Sequence, residues 1–590
     1  MRSLHHTTLT VVAAAAAAGN AQAAILSDVC TTGNVQAALP ANQSIPGIAP
    51  LPASVAATPV YNASSSGSTF SYCNVSLTYT HIGKNDEVNV WYWFPAPTDF
   101  KNRFLAVGGE GYSISLGDQS LPSGVIYGAV TGTTDGGFDG FNQDFDAAFL
   151  LANGTIDYDA LYMFGYQALG EMSVLGKEIT KGFYTTDQVY TYFSGCSDGG
   201  REAWSQVQKW GSVYDGVVAG APALRYGQQQ VNHLTSDVTE QTMDYYPPSC
   251  ELDKIVNLTI AACDSLDGKT DGVVSRSDLC KINFNVNSTI GEPYYCAAST
   301  ETSLGLGYGQ KMKRQMNMGG GSSATPEQNG TVSAEGAALV QKLWDGLQDT
   351  KGRQAYVGWQ PAASFADAET TYDNSTETWG LDLSSGGGEW VARFLDLTTA
   401  STLASLDNVT YDTLVQWMTD GMTRYYDVLQ TTVPDLTPFQ STGGKVLHYH
   451  GEADDSIPPA SSIRYYNSVR TTMYPDQAYN ASVASMNDWY RLFLIPGAAH
   501  CSTNTLMPDG PFPETLFSTI IEWVENGVVP TTLNGTIQGG ANEGDIQDMC
   551  SYPLRPYWSD NTTVSPSCVY DQASIDSWNY DLTAFSTVIY

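Results

Sequence analysis

Short apolar runs alternate with helix-like segments in two separate stretches of the sequence, and no other feature restricts the fold as strongly. The first stretch contains the runs FLAVGG, VIYGAVTG and QVYTYFSG, with the helix-like DALYMFGYQALGEMSVLGKEITKGF before the third run. The second stretch contains KVLHYHG and RLFLIPG, followed by the helix-like LFSTIIEWVENG. Strands that alternate with helices indicate a parallel sheet, so we predict an α/β fold built from both stretches.

Two regions depart from this alternation. Thr69 to Phe94 contains two alternating runs joined by Gly83-Lys84-Asn85-Asp86, which predicts a β-hairpin. Between the two α/β stretches the sequence becomes rich in Gly, Asp, Thr and Tyr and loses its strand periodicity. We therefore predict an inserted lid domain over residues 226–442, between a first part (24–225) and a second part (443–590) of one α/β domain.

The beginning of the chain has the composition of a secretory leader. Residues 1–23 carry Arg2, then an apolar alanine-rich run, then Ala21-Gln22-Ala23, a pattern typical of a signal peptidase site. The chain also has ten cysteines, an even number, and twelve N-x-S/T sequons. These features predict a secreted glycoprotein with paired cysteines. No later segment is long and apolar enough to predict a membrane span.

The charge balance excludes some classes of partner. The chain has 61 acidic and 26 basic residues, a formal net charge of −35. Nucleic acid and anionic membrane surfaces would both be repelled, so we expect neither as a partner. The charge does not distinguish an enzyme from a binding protein.

The sequence GCSDG, Gly195 to Gly199, follows an apolar strand and precedes the helix-like REAWSQVQKW. It satisfies G-x-S-x-G, in which a sharp strand-to-helix turn exposes the serine hydroxyl and needs glycine where backbones come close. We predict Ser197 as a nucleophile. The alternative is a glycine-rich turn with an incidental serine.

A serine nucleophile needs a base and an acid that orients it, in the chain order Ser, Asp or Glu, His. The candidate histidines after Ser197 are His233, His448, His450 and His500. His500 follows the last strand in PGAAHC and is predicted as the base, whereas His448 and His450 lie within a strand and are predicted to be buried and structural. Asp454 and Asp455 both follow that strand, and adjacent side chains point in different directions. We predict Asp454 as the acid. The alternative is a solvated acidic turn.

Two cysteines flank the predicted nucleophile and base. Cys196 precedes Ser197, and Cys501 follows His500. A bridge between them would hold nucleophile and base together, although each cysteine could also pair elsewhere, because ten cysteines allow many connectivities.

The oxyanion of an acyl-transfer reaction needs two backbone N–H donors. We expect one from Asp198, which follows the nucleophile. We expect the second from Gly109, in the glycine-rich Gly108-Gly109-Glu110-Gly111 after the strand FLAV. The alternative for this segment is a plain glycine turn.

The segment CDSLDGKTDGVV is a candidate metal site. Asp264, Asp267 and Asp271 are brought close by tight turns, and a hard cation such as calcium would relieve their repulsion. Backbone carbonyls such as those of Lys269 and Val273 would complete the ligands. We predict a structural calcium ion in the lid and no organic cofactor. The alternative is an acidic surface loop.

Lys313-Arg314 is a dibasic pair in the least structured stretch of the lid. It predicts proteolytic processing in the secretory pathway. The alternative is two ordinary surface charges.

These segments together resemble the tannase and feruloyl esterase family of secreted serine esterases. The resemblance extends from about Asp28 to the C-terminus and includes FGYQALGEMSVLGK, GCSDGGREAWSQVQ, DGVVAGAP, CDSLDGKTDGVV, HYHGEADDSIP and PGAAHC. The stretches TMDYYPPSCELDKIV and IGEPYYC make the chain most similar to the fungal tannase branch. Two positions depart from the family: Asp198 stands where feruloyl esterases usually have threonine, and Glu110 interrupts the glycines.

The resemblance implies an α/β-hydrolase fold and a pair of disulfide-bonded cysteines beside the serine and the histidine. These map onto Cys196 and Cys501, with Ser197, Asp454 and His500 as the triad. The family's lid calcium maps onto Asp264, Asp267, Asp271 and the carbonyls of Lys269 and Val273.

The implied substrates are small aromatic esters: galloyl esters and depside bonds of hydrolysable tannins, with gallic acid as product. A feruloyl esterase, a secreted serine carboxypeptidase and a non-catalytic tannin- or polysaccharide-binding protein remain alternatives. A lid carboxylate or histidine could bind the ring hydroxyls, but the sequence does not choose one.

Overall fold

The structure, a computed structural model, describes residues 25–41, 44–140, 145–298 and 325–590. The predicted leader (1–23) and Lys313-Arg314 lie outside these ranges and stay predictions. Within these ranges, no helix combines the length and the apolar character needed to cross a membrane.

The described residues of the first part of the chain form eight strands and seven helices. The strands are β1 Ile48–Pro50, β2 Ala56–Ser65, β3 Ser68–His81, β4 Val88–Pro95, β5 Arg103–Val107, β6 Ala129–Thr134, β7 Tyr190–Cys196 and β8 Gly216–Gly220. The helices are α1 Leu26–Val29, α2 Thr32–Ala38, α3 Pro122–Val125, α4 Phe145–Ala148, α5 Tyr158–Tyr162, α6 Ala168–Tyr184 and α7 Asp198–Lys209.

In the predicted lid, the described residues are mainly helical and form two small antiparallel hairpins. Its helices are α8 Tyr226–Asn232, α9 Thr235–Met243, α10 Ser249–Cys263, α11 Ser277–Asn283, α12 Ala334–Asp345, α13 Ser385–Glu389, α14 Tyr411–Arg424 and α15 Thr437–Gln440. Its strands are β9 Pro293–Cys296, β10 Gln328–Thr331, β11 Thr370–Asp373 and β12 Thr378–Leu381, paired β9 with β10 and β11 with β12.

The last part of the chain returns to the main sheet and then adds small sheets of its own. Its strands are β13 Lys445–Gly451, β14 Tyr490–Ile495, β15 Pro511–Phe512, β16 Thr532–Ile537, β17 Ile546–Cys550, β18 Leu554–Tyr557 and β19 Ser567–Tyr570. Its helices are α16 Ala460–Met473, α17 Tyr479–Asn487, α18 Leu516–Asn526 and α19 Gln572–Ser577.

Ten strands form the main sheet, in the order β1-β3-β4-β6-β5-β7-β8-β13-β14, with β2 paired to β3. The pairs from β6 through β5, β7, β8 and β13 to β14 are parallel, and the predicted hairpin is the antiparallel pair β3 and β4. The α/β-hydrolase architecture predicted from the sequence is therefore confirmed. Since β8 and β13 are neighbours, the lid lies in the connection between two adjacent strands.

Both faces of the parallel sheet are buried, as the continuous apolar runs of its strands predict. In β5, Phe104 and Ala106 belong to a cluster that includes residues of α6 and α7. Leu105 and Val107 point the other way, into a cluster with residues of α3 and α18. These two apolar clusters pack on opposite faces of the sheet. The carboxyl ends of the parallel strands lie at one edge of it, and the predicted site residues come directly after those ends.

One predicted helix is interrupted. The helix-like segment over residues 159–183 contains two helices, α5 and α6, separated by a π-helical turn at Met163–Gln167. The apolar periodicity continues through the turn, so the sequence pattern does not reveal the inserted residue.

Candidate active site

Ser197 lies in the turn between β7 and α7. Its backbone has φ 64° and ψ −122°, a conformation that residues other than glycine rarely adopt. A Cβ added at Gly195 would lie 2.4 Å from the Gly199 carbonyl oxygen, and one at Gly200 would lie 2.2 Å from that of Gly220. The glycines are therefore required by close backbone approach. This is the geometry of a nucleophile elbow.

The other two predicted triad residues follow neighbouring strands. Asp454 comes shortly after β13 and His500 shortly after β14, and these parallel strands end at the same edge of the sheet as β7. The Cys196–Cys501 disulfide joins the residue before Ser197 to the residue after His500, with a Cα–Cα distance of 6.1 Å. The fold thus brings the three predicted residues to one place.

All ten cysteines are paired. The other four bridges are Cys30–Cys73, Cys250–Cys296, Cys263–Cys280 and Cys550–Cys568. The pairing expected from the even number of cysteines is therefore present throughout the chain.

His500 is oriented by Asp454. The Nδ1 atom of His500 lies 2.8 Å from Asp454 Oδ2, and both side chains are buried. The other oxygen, Asp454 Oδ1, accepts hydrogen bonds from the backbone N–H groups of Ser456 and Ile457 at 2.9 and 2.7 Å. His450 Nε2 lies 3.1 Å from Asp454 Oδ2. A carboxylate held this way fixes the ring and leaves His500 Nε2 as the nitrogen that can take a proton.

Charge stabilises the ion pair between protonated His500 and ionised Asp454. Burial lowers the pKa of His500, but the carboxylates of Asp454, Asp455 and Glu110 more than offset burial, so the pKa lies above its usual value. Burial alone would raise the pKa of Asp454, whereas His500 and the hydrogen bonds from its partners hold it well below its usual range. Asp454 is therefore ionised whenever His500 acts as base.

Asp455 is directed away from His500 Nδ1, as expected for adjacent side chains. Its Oδ2 accepts a hydrogen bond of 2.8 Å from the Ser364 hydroxyl, and its carbonyl accepts one of 3.2 Å from Trp359 Nε1. Burial and the neighbouring Asp454 charge raise the pKa of Asp455 to about 6. Both partners belong to the lid, so the lid packs directly on the loop that carries the acid.

The two predicted oxyanion donors differ in whether another group of the protein already bonds to the backbone N–H. Asp198 is the first residue of α7, where N–H groups have no partner within the helix, and its side chain turns inward to an ion pair with Arg201. The Gly109 N–H instead donates to the buried Glu202 Oε2 at 2.8 Å. Gly109 is therefore withdrawn as the second donor, because its N–H is already bonded.

Glu110, which interrupts the glycine-rich segment, lies beside the site. Its backbone is fixed by reciprocal hydrogen bonds with Ser113 at 3.1 and 2.9 Å. Burial raises the pKa of the half-buried carboxyl, and the charge of His500 partly opposes that rise. The interruption therefore adds a third acidic group near the predicted base.

The predicted calcium segment forms a compact loop between α10 and α11. Asp264 Oδ1 accepts from the N–H groups of Asp271 and Gly272, both at 3.0 Å, and Lys269 Nζ lies 3.0 Å from Asp271 Oδ2. Asp267 Oδ2 is buried without a hydrogen-bond partner, and burial raises the pKa of Asp267 to about 7. Among the described residues, no three His, Cys, Asp or Glu side chains already stand in a metal-binding arrangement. The donor chemistry fits a hard cation, and some ligand rearrangement would be needed.

Sequence reasoning missed a second histidine–carboxylate pair, in the lid. His233 Nδ1 lies 2.7 Å from Asp367 Oδ2. The two residues are 134 positions apart, so no local motif connects them. Only the scarcity of histidine, seven in the chain, marked His233 as worth attention.

A cavity of about 630 Å³ lies away from this site. Its lining includes Phe70, Lys101, Arg103 and Tyr127, which lie at the amino ends of β3, β5 and β6. The triad is at the opposite, carboxyl edge, where ligands of open α/β sheets bind. We therefore assign no part of the chemistry to this cavity.

Comparison with known proteins identifies the family of the chain. A family model described as tannase and feruloyl esterase matches residues 73–573. A tannase from Aspergillus oryzae is 54% identical over 589 residues, covering 98% of this chain and 99% of the relative.

The chain is also similar to solved structures of this family. A tannin acyl hydrolase from Aspergillus niger superposes with a TM-score of 0.90 at 52% identity, covering 96% of this chain and 99% of that one. Feruloyl esterase B from Aspergillus oryzae superposes with a TM-score of 0.66 at 25% identity, covering 91% and 100%.

Proposed function

Because the chain belongs to the tannase and feruloyl esterase family and is a carboxylic ester hydrolase, we propose that it acts as a tannase. It hydrolyses galloyl esters and the depside bonds of hydrolysable tannins and releases gallic acid. The observation that carries this proposal is the strained Ser197 turn, tied by the Cys196–Cys501 disulfide to a His500–Asp454 pair. Membership of a family of ester hydrolases removes the non-catalytic binding protein from the alternatives.

Acylation begins when His500 Nε2 takes the proton of the Ser197 hydroxyl and the serine oxygen forms a bond to the ester carbonyl carbon. The negative charge that develops on the carbonyl oxygen is stabilised by the Asp198 N–H at the N-terminus of α7. Collapse of this intermediate breaks the bond to the alcohol oxygen, which takes the proton from His500. Asp454 stabilises the imidazolium throughout.

Deacylation repeats the sequence with water. His500 removes a proton from the water as its oxygen bonds to the acyl carbon, and the bond to Ser197 then breaks as the serine oxygen recovers the proton. The product acid leaves with no net change in the enzyme. Apart from the substrate and water, each step uses only groups that the chain supplies.

The test is hydrolysis of methyl gallate and methyl ferulate by the wild type and by Ser197→Ala. We expect wild-type turnover of methyl gallate to exceed that of methyl ferulate, and the variant to lose at least ~10³-fold in kcat. A preference for ferulate would favour the feruloyl esterase alternative, which the likeness to feruloyl esterase B supports. Near wild-type turnover by Ser197→Ala would overturn the mechanism.

Calcium in the lid is part of the proposal. Asp264, Asp267 and Asp271, with the carbonyls of Lys269 and Val273, would hold the ion. The partnerless buried oxygen of Asp267 supports this assignment. The ion would neutralise the three carboxylates and fix the loop, with no role in the reaction steps.

Secretion and glycosylation are also proposed. Eleven of the twelve sequon asparagines lie among the described residues, and ten of these are exposed while Asn74 is half-buried. Surface exposure is what the attachment of a glycan requires. Digestion of the secreted protein with an endoglycosidase should lower its apparent mass, and an unchanged mass would contradict glycosylation.

A further inference from the structure

The glycine-rich segment after β5 carries one acidic side chain, that of Glu110, beside the triad. On one side of it, the Gly109 carbonyl accepts a hydrogen bond of 3.0 Å from the Gly199 N–H in α7. On the other side, the Gly111 carbonyl accepts one of 2.9 Å from the Tyr226 hydroxyl. These contacts fix the backbone of Glu110 from both directions, so its side chain starts from a defined position.

The Glu110 carboxylate has no hydrogen-bond donor among the described residues. The side chain is half-buried, so burial raises its pKa, and the charge of His500 only partly opposes that rise. A carboxylate that has lost part of its water and gained no donor is left with unsatisfied acceptor oxygens. Hydroxyl groups of a ligand can supply the missing donors.

The reaction does not need Glu110 to orient the base. Asp454 Oδ2 already lies 2.8 Å from His500 Nδ1 and fixes the ring. The acceptor oxygens of Glu110 therefore remain available to a substrate.

Glu110 lies on the histidine side of the site. Its charge acts on His500, after the charges of Asp454 and Asp455, and the charge of His500 acts on Glu110 in return. During acylation His500 gives its proton to the alcohol oxygen, so this oxygen must lie against the same histidine. The alcohol part of the ester is therefore the part of the substrate that extends toward Glu110.

We propose that Glu110 binds the alcohol part of the substrate by accepting hydrogen bonds from hydroxyl groups of a sugar or another polyol. The inference rests on the proposed function, because it concerns the leaving group of a galloyl ester. A carboxylate has two acceptor oxygens and can bind two neighbouring hydroxyls at once, and hydrogen bonds to a charged acceptor are the stronger kind. A simple alkyl alcohol offers no such donors, so the site favours polyol esters over alkyl esters.

The test compares two esters of the same acid. In 6-O-galloylglucose the alcohol part carries sugar hydroxyls, whereas in methyl gallate it carries none. Both substrates share the acyl group and the triad chemistry, so the ratio of their kcat/KM values reports recognition of the alcohol part alone. In Glu110→Ala we expect the ratio of 6-O-galloylglucose to methyl gallate to fall roughly 10- to 100-fold. Each enzyme is assayed on the plateau of its pH profile, because Glu110 also acts on His500.

Two further variants separate hydrogen bonding from charge. Glu110→Gln keeps the size of the side chain and one acceptor oxygen but loses the charge, so the ratio should fall less than in Glu110→Ala. Asp455→Asn is the matched control, because it removes another carboxylate that acts on His500, one that is bonded to the Ser364 hydroxyl of the lid. It should change kcat/KM for both esters by the same factor and keep their ratio within about twofold.

The outcomes distinguish this inference from the proposed function. If the wild type cleaves both esters and Glu110→Ala keeps their ratio, the inference is wrong and the tannase proposal stands. A ratio that falls as much in Asp455→Asn as in Glu110→Ala would assign the effect to charge near His500 and also overturn the inference. If the wild type cleaves neither ester, the proposed function itself fails and the inference falls with it. Should Glu110→Ala not fold, Glu110→Gln decides, and an unchanged ratio in that variant would overturn the inference.

Discussion

The role of a residue in the site depends more on where its side chain points than on its amino-acid type. Asp454 and Asp455 are chemically identical neighbours, yet one contacts His500 Nδ1 and the other the Ser364 hydroxyl. Three partners hold Asp454 at its two oxygens besides His500: two backbone N–H groups and His450. That arrangement explains why only one of the two can orient the base.

Replacing the acid should therefore have a large effect on activity. Asp454→Asn keeps the shape of the side chain but cannot hold the Nδ1–H tautomer or stabilise the imidazolium, so we expect kcat for methyl gallate to fall by roughly 10³- to 10⁴-fold. Asp455→Asn is the matched control, and we expect it to lower kcat less than about tenfold. Steady-state kinetics on the two variants measure the difference. Equal losses would mean that the acid has been assigned to the wrong residue.

The residues that could be predicted from sequence are those whose role follows from their neighbours along the chain. Ser197 is marked by its glycines, and His500 by the strand before it. The role of Gly109 could not be predicted, because its N–H bonds to Glu202, 93 residues away and buried in a helix. The lid pair of His233 and Asp367 could not be predicted for the same reason.

Among the elements, the helix-like segment over residues 159–183 contains a feature that its sequence pattern does not reveal. Within the π-helical turn at Met163–Gln167, the Gly165 carbonyl accepts a 2.8 Å hydrogen bond from Arg201 Nη1. Arg201 in turn pairs with Asp198 at the start of α7. An irregular turn in one helix thus supports the start of another, directly behind the nucleophile. Apolar periodicity reports burial and contains no information about such a change of hydrogen bonding.

The loop between α10 and α11 is the element in which the proposed calcium ion should make a measurable difference. We expect purified protein to contain one calcium per chain and to melt at a lower temperature after chelation. The variant with Asp264→Ala and Asp267→Ala should contain no calcium, because it loses two carboxylate ligands, and its melting temperature should not respond to chelator. Metal analysis and thermal melts measure both.

The control for that experiment is Asp407→Ala, which removes an exposed carboxylate elsewhere in the lid. It should keep both the calcium and the response to chelator. Equal calcium in the wild type and the double variant would remove the proposed site.

Across the whole molecule, the lid and the sheet are joined by a buried cluster of charges. Arg555 of β18 donates to Asp278 of α11 at 3.0 Å and to Glu452, just after β13, at 2.7 Å. Arg276 donates to Asp278 at 2.8 Å, and all four residues are at most 2% exposed. The cluster connects three distant parts of the chain, and nothing local in the sequence indicates it. The order of strands and helices could be predicted from the periodicity of apolar residues. The buried ion pairs between distant segments could not, because they depend on how the elements pack in three dimensions.

Breaking this cluster should destabilise the protein. Asp278→Asn leaves buried arginine charge with less compensation, at a cost of about 3–5 kcal/mol, and should lower the melting temperature by several degrees. Asp576→Asn, on the exposed side of the neighbouring α19, is the control and should change it little. A melting temperature unchanged by Asp278→Asn would show that the cluster contributes nothing.

The effect of Asp278→Asn on the melting temperature should depend on pH. Burial alone would raise the pKa of Asp278, but Arg555 and Arg276 hold it well below its usual value. A depressed folded-state pKa stabilises the protein above the unfolded value of about 3.9, and this stabilisation is lost as the pH falls toward the folded value. The difference in melting temperature between wild type and Asp278→Asn should therefore shrink from pH 5 to pH 3. A constant difference would contradict this.

The position of the lid between two adjacent strands has a consequence for biosynthesis. β8 ends at Gly220, and its sheet partner β13 begins at Lys445, about 225 residues later. At roughly 5–20 residues per second, the ribosome takes ~10–45 s to make the intervening chain. During that time the apolar edge GVVAG is exposed in the nascent protein, and unpaired edges of this kind promote aggregation. The yield of the protein in a foreign host should therefore depend on how that half-finished sheet is protected until its partner strand emerges.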